Sequence, residues 1–264
     1  MRPTFSFIIV NFKSAELLPD WFASLSNTQL SPNEYEVIIV NNDASENEKL
    51  DTFQKQHDFK LIHAESNLGF GRACNRGARE ASGEILGFIN PDAQFISGNL
   101  HTISERFQND PSLGIIGLKL LTQDGTIQEW STGTEVTLWD ILRNNLGVPK
   151  SRALWESTEP IKVDWVSGAS LFIPKNLFQE IQGFDEDFFL YFEDTDLCKR
   201  AKAQGKSILY FPNISVKHLS GQSATSKKQQ KQDYYASQDL YSSKHRPKWE
   251  SLCIKTCRHH LSIS

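Results

Sequence analysis

The chain has 264 residues, of which 39% are hydrophobic, 23% charged and 11% aromatic, an ordinary composition with length enough for one large, well-buried domain. A formal net charge of −4 gives no case for general nucleic-acid binding, and no stretch has the length of a transmembrane span. Four scattered cysteines exclude a disulfide scaffold.

Residues 5–10 form an apolar run that reads as a strand, and the polar corner from Asn11 to Ser14 turns it into a helix carrying Leu17, Leu18, Trp21, Phe22 and Leu25. Residues 36–40 are a second strand, ending in Asn41, Asn42 and Asp43, before a helix through Leu50 and Phe53. A short third strand covers residues 60–63. The glycine-bearing loop around Asn67, Gly69, Phe70 and Gly71 then opens a helix over 73–81, closed by Ser82 and Gly83. This alternation of strand and helix predicts a parallel sheet with right-handed crossovers.

Ile85, Leu86, Phe88 and Ile89 follow without polar interruption, the pattern of a strand buried on both faces. Asn90-Pro91-Asp92 ends it, because Pro91 lacks a ladder donor and holds Asn90 extended. Asp92 therefore stands just past a strand's carboxyl end, where open α/β sheets bind ligands. Such a carboxylate either belongs to an ordinary turn or holds a hard divalent cation such as Mg²⁺ or Mn²⁺.

Beyond Asp92 the spacing predicts a helix over 100–107, a buried strand over 114–121 and a hairpin-like piece over 126–131. A variable segment with Trp139, Leu142 and Trp155 is expected to pass over the active face. Residues 163–173 return to the sheet, and Pro174 is placed at the first position of a helix ending before Gly183. A cluster of carboxylates, Glu193, Asp194 and Asp196, then opens a helix reaching Gly205. Acids in a first turn are favoured by the helix dipole, so capping explains them in part. Phe188, Phe189, Tyr191 and Phe192 beside them supply apolar surface that keeps a carboxylate dry and makes it a better base. Short strands over 207–211 and 216–219, the second ending near His218, precede a Tyr-rich helix over 234–244.

Charge is unevenly placed, since Lys227, Lys228, Lys231, Lys244, Arg246, Lys248, Lys255 and Arg258 make the end basic. That fits contact with phosphates or an anionic membrane, or simply a solvated helix face. Cys253, Cys257, His259 and His260 lack the spacing of a zinc site. Residues 1–3 lead into the first strand without a signal-peptide core, so a cytoplasmic chain is expected, peripheral at the inner face of the membrane if its basic end attaches there.

Four stretches in order carry a family likeness: residues 9–12, residues 67–71 with 75–77, residues 90–92, and residues 184–186 with 191–197. With the trailing His218, Gly221 and Ser223, they make the chain similar to glycosyltransferase family 2, the inverting enzymes of GT-A fold, and to their rhamnosyltransferase-like branch. The resemblance implies an α/β, Rossmann-like, mostly parallel sheet in a GT-A domain over 1–223 (a nucleotide half, 1–92, and an acceptor half, 93–223), with a basic helical extension over 224–264. It further implies that Val10, Asn11, Phe12, Asn41, Asp43, Asn67, Gly69, Phe70, Asn75, Asn90 and Asp92 meet the nucleotide sugar. Gly168, Asp185 and Glu193 would lie on the acceptor side, Asp92 and His218 would bind Mg²⁺ or Mn²⁺, and Asp194 would be the catalytic base. Two positions depart from the family's pattern: Asn41 where Asp is frequent, and Asn90 in place of the first acid of Asp-x-Asp. The donor implied is dTDP-rhamnose or a UDP-sugar, and the acceptor a glycan or lipid-linked saccharide.

A dinucleotide-dependent dehydrogenase and a sugar-phosphate nucleotidyltransferase both need glycines after the first strand, where this chain has Asn11, Phe12 and Lys13. A catalytically silent nucleotide-sugar-binding module is the remaining alternative.

Overall fold

The computed structural model describes residues 2–145, 150–219 and 226–261. Gly221 and Ser223 lie outside the described residues, as do the side chains of Lys227, Cys257, Arg258, His259 and His260.

The first third follows the expected alternation: β1 (Phe5–Asn11), α1 (Leu18–Ser24), β2 (Tyr35–Asn41), α2 (Asn47–Gln54), β3 (Lys60–His63), α3 (Phe70–Glu80) and β4 (Ile85–Ile89). All five residues of β4 are buried, as its unbroken apolar run requires. A strand the periodicity did not show, β5 (Ala93–Ser97), starts directly after the Asn90-Pro91-Asp92 corner. Then come α4 (His101–Asn109), β6 (Leu113–Leu121), β7 (Thr132–Gly133), α5 (Leu138–Asn145) and α6 (Arg152–Trp155). The hairpin expected over 126–131 reduces to a single bridge between Leu121 and Ile127. The return to the sheet is broken into β8 (Ile161–Val163), β9 (Trp165–Val166) and β10 (Ser170–Pro174). Pro174 ends β10 and caps α7 (Lys175–Glu180) rather than beginning it. The remainder is α8 (Glu193–Ala203), β11 (Ser207–His218), α9 (Lys227–His245) and α10 (Lys248–Leu261).

Nine strands make one sheet in the order β3-β2-β1-β4-β10-β6-β11-β5, with β8 also paired to β11. β1 runs parallel to β2 and β4, while β10 inserts antiparallel between β4 and β6. The two expected strands at 207–211 and 216–219 are one long β11, whose register shifts between Phe211 and Ser215. Pro212 sits inside that irregularity, where the missing N–H costs no regular ladder bond. On its outer side the first part of β11 pairs with β8 and the last with β5. Apolar side chains pack both faces, one layer around Phe5, Phe7, Trp21 and Phe95, the other around Phe88, Phe178, Phe184 and Leu197. The helices through 227–261 pack on the start of α8, where Phe188, Phe192 and Tyr241 form a third apolar cluster.

Candidate active site

His218, the last residue of β11, pairs with Ala93, the first of β5. This pairing brings His218 beside the Asn90-Pro91-Asp92 corner across 128 positions of sequence. Asp92 Oδ1 is 3.3 Å from His218 Nε2, and Asn90 Nδ2 is 3.3 Å from the same nitrogen. On the other side of the ring, Nδ1 donates to Gln128 Oε1 at 2.9 Å. That contact turns the Nε2 edge of the ring towards the Asn90 amide and the Asp92 carboxylate. Asp92 Oδ1 and His218 Nε2 are close enough that both could hold one divalent ion. Oxygen and imidazole donors suit Mg²⁺ or Mn²⁺, so these residues fit such an ion. Among the described residues no group of three or more His, Cys, Asp or Glu forms a ready-made metal cluster, and remaining ligands would have to come from a bound substrate or water.

Asp194 arrives from the other side of the cleft. Tyr191 and Phe192, just ahead of α8, have φ of +70° and +65°, the left-handed region that bulky residues avoid. Helix α9 holds this turn in place. Ser237 Oγ donates to the Leu190 carbonyl at 2.7 Å, and the Phe192 ring lies 5.3 Å from Tyr234 and 5.4 Å from Tyr241. Two residues beyond Asp194, the buried Asp196 accepts from Arg200 at 2.7 Å and meets His245 Nε2 at 2.6 Å, tying α8 to the end of α9.

The carboxylate of Asp194 is positioned by three donors. Gly168 N–H reaches Oδ2 at 2.8 Å, while Thr195 N–H and Oγ1 reach Oδ1 at 2.6 and 3.2 Å. Burial raises the Asp194 carboxyl above its ordinary range, and these hydrogen bonds oppose the rise without cancelling it. If Asp194 is the base that the family resemblance implies, it must be ionised to act, and the acid limb of kcat/KM is expected above the usual aspartate range. Thr195→Val removes one donor and should move that limb to still higher pH, which a pH-rate profile of the two proteins reads directly.

Glu193 is only 5% exposed, its Oε2 has no hydrogen-bond partner among the described residues, and burial beside Asp194 pushes its carboxyl well up. A carboxyl raised by folding lends stability that is complete below its unfolded value and is lost as pH climbs through the folded one. Glu193→Gln is therefore expected to flatten the fall of Tm as pH rises above the ordinary glutamate range, measured by thermal melts across that range.

Asp92, His218 and Asp194 all line one cavity of about 830 Å³. Phe70, Asn90, Gly168 and Glu193 line it too, as do Gln128, Trp130, Trp165, Tyr234 and Gln238, which no local pattern marked. The other expected contacts lie elsewhere. Asn11 and Asn41 are buried at the ends of β1 and β2, where the Asn11 amide donates to Asn41 Oδ1 and to Glu46. Asn41 in turn donates to the Asp43 carbonyl and to Asn47. Val10 and Phe12 are half-buried at the same edge, and Asp43 caps the turn before α2 through Ser45 while its Oδ2 has no partner among the described residues. Asn67 accepts from Gly69 N–H, and Gly69, at φ +81°, leaves no room for a side chain against the Phe189 carbonyl. Asn75 and Asp185 are engaged within the protein. Asn75 bonds both backbone groups of Phe184, and Asp185 pairs with Lys244 at 2.5 Å, so neither lines the cavity.

Residues 6–167 match the profile of Glycosyl transferase family 2, and residues 98–262 that of Glycosyl transferase family group 2. An N-acetylglucosaminyl-diphospho-decaprenol L-rhamnosyltransferase of Mycobacterium tuberculosis is 26% identical over 231 residues, spanning 80% of this chain and 74% of its own. Among solved structures, TarS 1–349 of S. aureus superposes with a TM-score of 0.60 at 17% identity, covering 92% of this chain and 65% of that one. The mannosyltransferase PcManGT from Pyrobaculum calidifontis, in complex with GDP-Man and Mn²⁺, gives 0.57 at 17% identity, covering 83% and 57%. The chain thus spans less than two thirds of either solved chain, and at these identities the likeness is one of fold, the GT-A arrangement.

Proposed function

The chain belongs to glycosyl transferase family 2, and on that footing we propose that it moves a sugar from a nucleoside-diphosphate sugar to an acceptor hydroxyl by one inverting, metal-assisted displacement. The observation that supports this reading is the meeting of Asp92, His218 and Asp194 around a single cavity large enough for a sugar and a diphosphate. As the acceptor oxygen attacks the anomeric carbon, Asp194 takes its proton and the bond from that carbon to the diphosphate oxygen breaks on the opposite face. Its raised pKa strengthens it as a base, while Gly168 and Thr195 aim it. A divalent ion, Mg²⁺ or Mn²⁺, held by Asp92 and His218 would neutralise the charge gathering on the leaving diphosphate. Phe70 and Asn90 face the donor in the cavity, and Val10, Phe12, Asp43 and the Asn67-Gly69 loop form the edge that meets its nucleotide. Gly168 and Glu193 border the acceptor side.

The donor we propose is dTDP-rhamnose or a UDP-sugar, and the acceptor a growing glycan or lipid-linked saccharide of the cell surface, like the diphospho-decaprenol substrate in the mycobacterial relative's name. No helix among the described residues is long and apolar enough to cross a membrane. On this reading the protein works at the inner, cytoplasmic face by peripheral contact. A thermal-shift panel of nucleotide sugars with and without Mn²⁺, followed by an assay for released diphosphate and the anomeric configuration of the product, tests the whole reading. Binding without diphosphate release under any pairing of donor and acceptor would leave only a silent module.

A further inference from the structure

The basic end is less free than its sequence implied. Lys244 is engaged by Asp185 and Asp187, and Arg246 by Glu135 and Glu250, so the cations closing α9 are neutralised within the protein. The exposed surface that combines charge with apolar bulk lies instead where α5 meets α10. The buried carboxylate of Glu250, on α10, accepts from the backbone N–H of Leu138, the first residue of α5, at 2.8 Å. This bond fixes the two helices side by side, and the residue next to each partner stays outside. Trp139 is 71% exposed, Trp249 63%, and Leu252, three positions after Trp249 and so on the same side of α10, 64%. Arg143, four positions after Trp139, is exposed on α5, and Lys248 and Lys255 are exposed on α10. The carboxylates of these helices point away from this surface: Asp140 lines the active-site cavity and Glu250 is buried.

Two tryptophans and a leucine on the surface, with only cations exposed among the described charged side chains of both helices, are more than scattered apolar residues. Tryptophan prefers the boundary between lipid tails and headgroups, and cations add attraction to anionic lipid. We infer that Trp139, Trp249 and Leu252, with Arg143, Lys248 and Lys255, form a docking face for an anionic phospholipid bilayer. Its position gives it a use that rests on the proposed transferase reading: α5 turns Asp140 and Ile141 into the cavity, so the helix that carries Trp139 and Arg143 also forms part of the cavity wall. An acceptor saccharide anchored in that bilayer would reach Asp194 without leaving the membrane surface.

Co-sedimentation with vesicles tests the inference without requiring turnover. The full chain should pellet with vesicles of phosphatidylglycerol and phosphatidylcholine in roughly equal parts, weakly with phosphatidylcholine alone, and less as salt is raised. A Trp139→Ser, Trp249→Ser, Leu252→Ser variant should lose at least about tenfold in partition to the mixed vesicles. An Arg143→Glu, Lys248→Glu, Lys255→Glu variant should lose the preference for anionic lipid, and it decides the matter if the first variant melts abnormally. Wild-type protein left in the supernatant with both vesicle types overturns the inference, as does wild-type pelleting by the charge-reversed variant. A variant that pellets normally but changes from dimer to monomer in sedimentation assigns the face to a second copy instead. A nucleotide-sugar thermal shift measured in parallel keeps failure of this face distinct from failure of the transferase reading.

Discussion

Asp194→Asn is expected to lower the rate of sugar transfer by about 10²–10⁴-fold, the span that a positioned general base supplies. The replacement keeps the size of the side chain and removes only its capacity to take a proton. It also leaves one oxygen where there were two, so an amide that still accepts from Thr195 presents its NH₂ to the Gly168 N–H. A modest change in melting temperature is therefore expected and should be measured first. Donor binding, read by thermal shift, should remain close to wild type if Asp194 acts, as proposed, on the acceptor hydroxyl. Single-turnover transfer separates the two effects, and a variant as fast as wild type would remove Asp194 from the reaction.

Removing the residues proposed to hold the metal should be nearly as damaging. Lewis-acid stabilisation of a leaving diphosphate is worth several kcal/mol, so Asp92→Ala or His218→Ala should cost about 10²–10³-fold in rate. EDTA should abolish wild-type activity, with Mg²⁺ or Mn²⁺ restoring it in the wild type and not in Asp92→Ala. Gln128→Leu gives a graded companion, because Gln128 touches the far nitrogen of His218 and helps to orient the ring. Loss of such an outer partner typically lowers metal affinity about 10–100-fold, so excess metal should rescue this variant and leave Asp92→Ala inactive. Activity indifferent to chelator would sink the assignment of Asp92 and His218.

What could be read along the chain was what neighbouring residues decide among themselves. The βα alternation up to Asp92 was visible because apolar period and turn chemistry act within a few residues, and β4 because its burial on both faces leaves an unbroken apolar run. β5 was hidden for the opposite reason: five residues directly after a proline turn become a strand only because the end of β11 lies alongside to pair with them. The same long-range pairing fused two expected strands into β11, its bulge accommodating Pro212. Motif order pointed to Asp92, Asp194 and His218, yet nothing in it indicated that Asn75 would be engaged by the backbone of Phe184, or that Gln128 would orient His218.

By itself, then, the sequence determined the family, the strand and helix order of the first half, and which carboxylates and histidine merit attention, because composition, spacing and ordered motifs are local properties. The tertiary structure alone decided that Asp92, His218 and Asp194 border one cavity, that α9 supplies part of its wall, and that two tryptophans, Trp139 and Trp249, stay exposed. Those facts depend on β11 returning to the end of β4 and on the last two helices folding back over α8, and contacts between segments so far apart in the chain leave no periodicity in either one.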